Sequence, residues 1–307
     1  MDTAPRTGIR STPLGVAAVL TAVVAWSLIN VVVKIVHVPA VTWAFYRLWL
    51  GGVAMVVVLR AARRRLTWKQ IRTSLPGGVL FGLNVVLFFS ALKRTSVADV
   101  LIIQSLQPAL IMLVAGRMFG ERVTRFDVGW MGASLGGVVL VVLGSSGTPV
   151  WSLAGDLFAV ASLFTWTCYF LVSKRARREV PALEYMTAVT LAAALVVTPL
   201  ALLSGEPLGG LRVTDWLWLG LFLGGAQGGH ILLAWAHGQA DVSVSSLLIL
   251  AEPVISAVAA LAFLGEPLAA LEIAGGIVVV LAMAAIVRRA TRQGGERALG
   301  TAEPAPT

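Results

Sequence analysis

The chain has 307 residues, of which 58% are hydrophobic and only 13% are charged, and its formal net charge is +9. Soluble domains carry about 25% charged residues, so this composition excludes one or two ordinary soluble domains and indicates a polytopic membrane protein. Lys and Arg lie in short runs between apolar segments, which excludes nucleic acid as a partner. The single Cys168 excludes an intramolecular disulfide and a Cys-based metal cluster. We expect no cofactor.

Ten apolar segments have the length needed to cross a membrane. A bilayer core of about 30 Å requires roughly 20 apolar residues in a helix. Residues 1–12 and 289–307 are predicted to be polar tails. The predicted spans are about 13–33, 40–59, 75–92, 97–116, 126–144, 153–173, 184–203, 215–236, 242–264 and 268–287.

The distribution of Lys and Arg predicts the orientation of these spans. With the N-terminus inside, 19 of the 24 Lys and Arg residues fall in the tails and loops on the cytoplasmic side. Four fall outside, namely Lys34, Lys93, Arg94 and Arg212, and Arg47 lies within a span. Both termini are therefore predicted to be cytoplasmic.

The chain contains an internal repeat. An offset of 140 aligns Trp26 with Trp166, and an offset of 145 aligns Pro108 with Pro253. The repeat predicts two halves of five spans, 13–147 and 148–288. Because five is odd, the second half enters from the opposite face, so we expect an all-α membrane protein of ten transmembrane helices in two inverted five-helix repeats. This organisation is typical of secondary transporters.

Short motifs, repeated in order across both halves, carry a family resemblance over nearly the whole chain. They are Trp26-Ser27 with Asn30 and Lys34, Phe45-Tyr46-Arg47, Pro108 with Gly120-Glu121-Arg122, Gly155-Asp156 with Trp166, and Glu252-Pro253 with Gly265-Glu266. With these motifs the sequence resembles the EamA branch of the drug/metabolite transporter (DMT) superfamily. The resemblance implies a ten-helix fold, a central substrate cavity and export of small metabolites or drugs by alternating access.

Two prolines and one carboxylate mark the fourth and ninth spans. Pro108 and Pro253 lack an amide hydrogen and leave the carbonyls of Gln104 and Ile249 free, which predicts broken helices beside a midplane site. Glu252 lies ten residues into its span, where a carboxylate costs roughly 2.5–3.5 kcal/mol on insertion scales. Such a group either exchanges a proton with substrate or holds the kink through a hydrogen bond to a neighbouring helix.

Arg47 is the second costly group, about seven residues inside its span. Its guanidinium either binds a substrate carboxylate, snorkels to the outer surface, or donates to protein carbonyls or a carboxylate. The sequence leaves these roles open. Glu252, Pro253, Pro108 and Arg47 are therefore candidates for coupling or gating.

Polar and aromatic side chains inside the apolar runs are candidates for the cavity lining, although each could equally hold helices together or anchor them at the interface. They are Trp26, Asn30, Asn84, Phe88, Gln104, Gln107, Trp166, Tyr169, Gln227 and His230. Glu121 and Glu266 are expected to be structural. Glycine patterns predict close helix packing: Gly78-x3-Gly82, Gly132-x3-Gly136, and Gly220, Gly224 and Gly228.

These features favour a secondary transporter, embedded in the lipid bilayer of the inner membrane, that exports small organic solutes such as amino acids or amphipathic cations. Proton coupling is a hypothesis, and an uncoupled facilitator or a channel is the alternative. Three scattered His residues and one Cys argue against an enzyme. We expect a monomer or a homodimer.

Overall fold

The computed structural model describes residues 11–35, 38–92, 94–95, 97–120, 123–144, 152–265 and 267–300, and of residues 29–35, 97–99, 260, 264 and 290–300 it describes the backbone alone. This part of the chain is mainly helical, with short loops between the helices, and contains no strand. The helices are α1 (Pro13–Ile35), α2 (Ala40–Ala61), α3 (Trp68–Leu92), α4 (Val97–Gln104), α5 (Gln107–Phe119), α6 (Arg125–Gly144), α7 (Leu153–Ala176), α8 (Ala182–Leu203), α9 (Val213–Phe222), α10 (Gly228–Ala236), α11 (Val242–Ile249), α12 (Glu252–Leu264) and α13 (Ala270–Gly300), with a π-helical turn at Leu223–Gln227.

These helices form the ten predicted spans. In the described ranges, nine helical stretches are long and apolar enough to cross a membrane, and α1 adds the tenth through its apolar part Pro13–Leu28. Three spans are interrupted. The fourth consists of α4 and α5, the eighth of α9, the π-helical turn and α10, and the ninth of α11 and α12.

The predicted breaks in the fourth and ninth spans are confirmed. The helix stops at Gln104 and resumes at Gln107 before Pro108, and it stops at Ile249 and resumes at Glu252 before Pro253. Proline cannot donate to the carbonyl four residues earlier. The backbone across each gap instead forms hydrogen bonds between residues three apart, as in a 3₁₀-helix. The amide of Leu106 donates to the Ile103 oxygen at 3.1 Å, and the amide of Ala251 donates to the Leu248 oxygen at 3.2 Å.

The contacts between the two halves come in equivalent pairs, as a two-fold relation requires. The first span of each repeat packs on the third span of the other, so that α1 contacts α10 and α7 contacts α3. It also packs on the other repeat's broken helix, with α1 against α11 and α12 and α7 against α4 and α5. The second spans pair with each other as α2 and α8, and the fifth spans pair as α6 and α13. The chain is thus a ten-helix bundle of two inverted five-helix repeats.

Glycine packing agrees with only one of the three predicted patterns. A Cβ on Gly78 would overlap Ala192, and a Cβ on Gly82 would lie 3.0 Å from the Ala193 backbone, so Gly78-x3-Gly82 does bring α3 against α8. The other two predictions were wrong. A Cβ at Gly132, Gly136, Gly220, Gly224 or Gly228 would meet no atom within 4 Å, so these glycines face away from their neighbours.

The contact between α6 and α13 uses a glycine one residue further along. A Cβ on Gly137 would lie 2.8 Å from the carbonyl oxygen of Gly275, and one on Gly275 would overlap Gly137 in return. The two backbones therefore touch. The same pair is tied at its other end by Arg289, which lies 2.5 Å from Asp127 Oδ1.

The end of α7 carries buried polar groups. Lys174 is 1% exposed and donates to the backbone oxygen of Ala240. The last turn of α7 is therefore fixed to the residues at the start of the ninth span. Ser173 Oγ lies 2.8 Å from Nδ1 of the buried His237. Arg177 Nε donates to the Ala234 oxygen at 2.7 Å. These contacts join the sixth span to the end of the eighth.

Candidate functional site

Five aromatic rings meet in the middle of the bundle. Trp26 lies 4.8 Å from His230 and Phe81 lies 4.9 Å from it, as ring centroids. Trp166 stacks on Tyr169 at 5.2 Å with an interplanar angle of 20°, and Phe81 contacts Tyr169 at 5.3 Å. We refer to Trp26, Phe81, Trp166, Tyr169, His230 and the adjoining Arg47 as the central cluster.

The central cluster lies close to the repeat axis and near the middle of the helices that form it. Trp26 and Trp166, which occupy equivalent positions in the two halves, contact each other edge to face at 6.3 Å. Two equivalent residues can touch only close to the axis that relates them. Trp26, Phe81 and Trp166 are each the fourteenth residue of helices of 23, 25 and 24 residues, so each is about 20 Å along its helix.

Arg47 turns into this cluster. Its guanidinium carbon lies 5.0 Å from the Phe222 ring and 5.9 Å from the Phe81 ring, and one terminal nitrogen lies 3.2 Å from His230 Nε2. Snorkelling to the outer surface therefore does not describe this side chain. No carboxylate of the described residues lies within 4 Å of the guanidinium. The two aromatic faces and one imidazole nitrogen are its partners.

The tautomer of His230 follows from its contact with Arg47. Arginine has donors and no acceptor, so Nε2 must be the unprotonated, accepting nitrogen of a neutral imidazole. The remaining proton then lies on Nδ1. This atom is buried and has no hydrogen-bond partner among the described residues, and the whole residue is 7% exposed. His230 thus offers an unused donor in the bundle interior.

The π-helical turn at Leu223–Gln227 lies directly beside the cluster. The indole Nε1 of Trp26 donates to the Ala226 oxygen in this turn at 3.2 Å. The last residue of the turn, Gln227, donates through Nε2 to Thr190 Oγ1 on α8 at 3.0 Å. Turns of this kind often accompany functional sites.

A second polar group lies one helical turn away, on the same faces of α3 and α7. Ser162 is fully buried. Asn84 Nδ2 donates to the Ser162 backbone oxygen at 2.9 Å and to its hydroxyl at 3.0 Å, and Gln104 Nε2 donates to the same hydroxyl at 2.8 Å. Gln104 ends α4, so the broken fourth span is held to α7 at its break.

The other break is held in the corresponding way. The Ser27 hydroxyl on α1 lies 3.2 Å from the backbone oxygen of Glu252, which begins α12. The Glu252 side chain is half-buried. Each first helix, α1 and α7, is therefore hydrogen-bonded to the broken helix of the other repeat.

The remaining predicted residues lie at the edges of these groups. Phe88 packs beside Phe89 at 5.7 Å and against Ala91, Val100 and Ala159, away from the central cluster. Gln107 is buried, and its Nε2 has no hydrogen-bond partner among the described residues. Pro108 is buried and Pro253 is partly buried at the starts of α5 and α12. The side chain of Asn30, and Glu121 and Glu266, lie outside the described residues.

Three contributors were missed by the sequence analysis: Phe81, Ser162 and Thr190. Phe81 and Asn84 are three residues apart, and Ser162 and Trp166 are four apart, so helical spacing from predicted residues could have located Phe81 and Ser162. Among the described residues, no three His, Cys, Asp or Glu side chains are grouped to hold a metal ion.

A separate groove of about 890 Å³ opens where α1, α8 and α10 meet the loop after α2. Its walls are apolar, and Arg64 and Arg177 lie among them. None of the predicted site residues lines it. The groove is therefore distinct from the central cluster.

Comparisons with known proteins agree with this architecture. A family model described as the EamA-like transporter family matches twice, over residues 13–143 and 153–288. A protein named the pseudopaline exporter CntI, from Pseudomonas aeruginosa, is 27% identical over 157 residues. That match covers 48% of this chain and 53% of the relative, so it spans about half of each protein.

Two other relatives match over greater lengths. The uncharacterized transporter YyaM of Bacillus subtilis is 23% identical over 78% of this chain and 81% of its own. An uncharacterized transporter of Archaeoglobus fulgidus is 24% identical over 87% of this chain and 93% of its own. A solved crystal structure of 23% identity superposes with a TM-score of 0.77 over 92% of this chain and 99% of that chain, which shows the same fold. This ten-helix membrane protein belongs to the EamA-like transporter family.

Proposed function

We propose that this protein exports small organic solutes by alternating access and binds them at the central cluster. The observation that carries the proposal is the contact between Trp26 and Trp166 at 6.3 Å. A site on the axis between two inverted repeats is equally related to both sides of the membrane. Exchange of the two repeat conformations then opens the same site to one side or the other.

The hydrogen bonds between each first helix and the broken helix of the other repeat would couple the two halves in this mechanism. Ser27 links α1 to the start of α12 through the Glu252 oxygen, and Ser162 links α7 to the end of α4 through Gln104. Each link joins a first helix to a break, where the backbone bends most readily. A change in one break therefore moves a helix of the opposite repeat.

The direction and location are part of the proposal. One relative is named an exporter, which favours outward transport. The predominance of Lys and Arg on one side supports insertion in the inner membrane with both termini cytoplasmic. The functional unit would be a monomer or a homodimer.

Proton antiport through Glu252 would supply the energy. Glu252 is the first residue after the break in the ninth span, and its side chain is half-buried. A carboxylate at this position can take up a proton when the break is open to one side and release it to the other. Substrate binding and proton binding would then alternate.

The decisive measurement is substrate counterflow in reconstituted liposomes, with and without an imposed pH gradient. Saturable counterflow in the wild type is expected of a carrier, and linear, non-saturating flux would instead identify a channel. Glu252→Gln should retain counterflow but lose acceleration by the gradient. Glu179→Gln, which removes an exposed carboxylate in the turn after α7, is the control and should respond as the wild type does. A normal gradient response in Glu252→Gln would refute the coupling role.

A further inference from the structure

We infer that the solute bound at the central cluster carries an organic carboxylate, which is held by Arg47 beside His230, and an apolar or aromatic body packed among Trp26, Phe81 and Trp166. This inference rests on the proposed function, because it takes the cluster to be the substrate site. It selects among the two solute classes expected from the sequence: carboxylate-bearing solutes such as amino acids fit, and amphipathic cations do not.

The first argument is the incomplete neutralisation of Arg47. A guanidinium offers five N–H donors, and one of them is directed at His230 Nε2. In the described part of the chain, the others have no acceptor. Phe222 at 5.0 Å and Phe81 at 5.9 Å offer their ring faces to the cation but accept no strong hydrogen bond. A cation at this depth is costly without an anion.

The second argument is independent of charge. His230 is fixed as a neutral imidazole with its proton on Nδ1, and that buried donor has no partner among the described residues. A buried donor is normally satisfied. Two different side chains on α2 and α10 therefore present unused donors in one region of the interior. An oxyanion can accept from either donor, whereas an ammonium group can accept from neither.

The third argument concerns the remainder of the ligand. The walls next to Arg47 are rings, with Phe81 and Trp26 both within 5 Å of His230 by centroid. Such walls bind an apolar or aromatic body and exclude water from the ion pair, which strengthens it. A planar guanidinium matches a carboxylate with two parallel hydrogen bonds. A small organic acid with a hydrophobic body combines both requirements.

Binding to the purified protein can be measured with three probes of nearly equal shape: 3-phenylpropionate, its neutral amide 3-phenylpropionamide, and the cation 3-phenylpropylamine. Quenching of tryptophan fluorescence by each probe gives the affinity. The wild type should bind the acid at least tenfold more tightly than the amide or the amine. Equal or preferred binding of the amine would overturn the inference.

Variants assign the preference to the named residues. Arg47→Gln should weaken acid binding by about 10- to 100-fold, because a charge-assisted hydrogen-bond pair is lost, and should leave amide binding unchanged. Arg47→Lys keeps the charge but loses the planar fork, so we expect an intermediate loss. His230→Gln keeps a donor and an acceptor and should lose less. Arg72→Gln removes an exposed cation on α3 and is the control.

Folding and transport are separated from recognition by two further measurements. The unfolding temperature without ligand identifies a variant that is damaged, and Arg47→Lys then tests the assignment in place of Arg47→Gln. Unchanged acid affinity in both Arg47 variants would overturn the inference. Counterflow of the same acid in liposomes reports on the proposed function. Tight binding of the acid without counterflow would contradict transport but support the carboxylate site. Counterflow of the amine alone would support transport but contradict the carboxylate site.

Discussion

The indole of Trp26 lies directly over Gly229, so that a Cβ at this position would overlap the indole nitrogen. The same nitrogen donates to the Ala226 oxygen three residues earlier, in the π-helical turn. The first span therefore fits the eighth span only where the latter has no side chain. This contact fixes the position of one wall of the central cluster.

Gly229→Ala should consequently destabilise the protein. The added methyl must displace Trp26, and overpacking of this kind costs about 1–3 kcal/mol. Gly228→Ala, at the preceding residue, meets no atom within 4 Å and should be neutral or stabilising by up to about 1 kcal/mol through helix propensity. Thermal unfolding in detergent compares the two variants. Equal melting temperatures would contradict the placement of Trp26.

Ser162→Ala should destabilise the packing of α3, α4 and α7. Gln104 loses the acceptor that lies 2.8 Å away, and a buried donor left without a partner costs about 1–3 kcal/mol. Ser134→Ala is a matched control, because the Ser134 hydroxyl is equally buried and has no partner among the described residues. We expect its loss to be neutral or stabilising. If both variants melt alike, the Ser162 hydroxyl does not carry the network.

The stability of the protein should depend on pH through His237, which follows α10 directly. Burial, together with the nearby cations Lys174 and Arg177, lowers the pKa of His237 well below its usual value of 6.5. As the pH falls below 6.5, His237 therefore binds a proton in the unfolded chain but stays neutral in the folded chain. Stability is full above about pH 7 and falls as the pH drops through 6.5, by up to about 1.4 kcal/mol per pH unit.

Unfolding curves between pH 5 and 8 measure this dependence. His237→Asn removes the titrating group and should flatten the curve relative to the wild type over this range. Ser173 at 2.8 Å can still hydrogen-bond to an amide at this position, so the variant should remain folded. A pH profile identical to that of the wild type would show that His237 titrates normally.

The predicted orientation can be tested by cysteine labelling, because the exposed Cys168 is the single cysteine. In a Cys168→Ser background, Gly209→Cys in the loop between α8 and α9 should react with a membrane-impermeant maleimide from outside the cell. Arg63→Cys, between α2 and α3, should react only after permeabilisation. The reverse pattern would place the Lys- and Arg-rich loops outside and contradict cytoplasmic termini.

The spans and the two proline breaks were predictable because both depend on local chemistry. Apolar length determines a span, and Pro108 and Pro253 each lack the amide that would bridge to Gln104 and Ile249. The structure places both breaks where that missing hydrogen bond requires them. The number of helices and their repetition follow from the same local signals.

Side-chain pairing was not predictable in the same way. Gly78-x3-Gly82 and Gly132-x3-Gly136 are the same motif, yet one packs against α8 and the other faces away, because the outcome depends on which face meets a neighbour. Nothing in the residues around Arg47 indicated His230, 183 positions later. The π-helical turn at Leu223–Gln227 was also missed, since Trp26 stabilises it from another helix.

The backbone contact between Gly137 and Gly275 has a practical consequence. Two helices that touch without intervening side chains cannot slide or separate cheaply, and Arg289 and Asp127 clasp the same pair at 2.5 Å. Spin labels on α6 and α13 should therefore report one unchanging separation throughout the proposed transport cycle. That separation is a fixed reference distance against which displacements of the broken helices α4–α5 and α11–α12 can be measured.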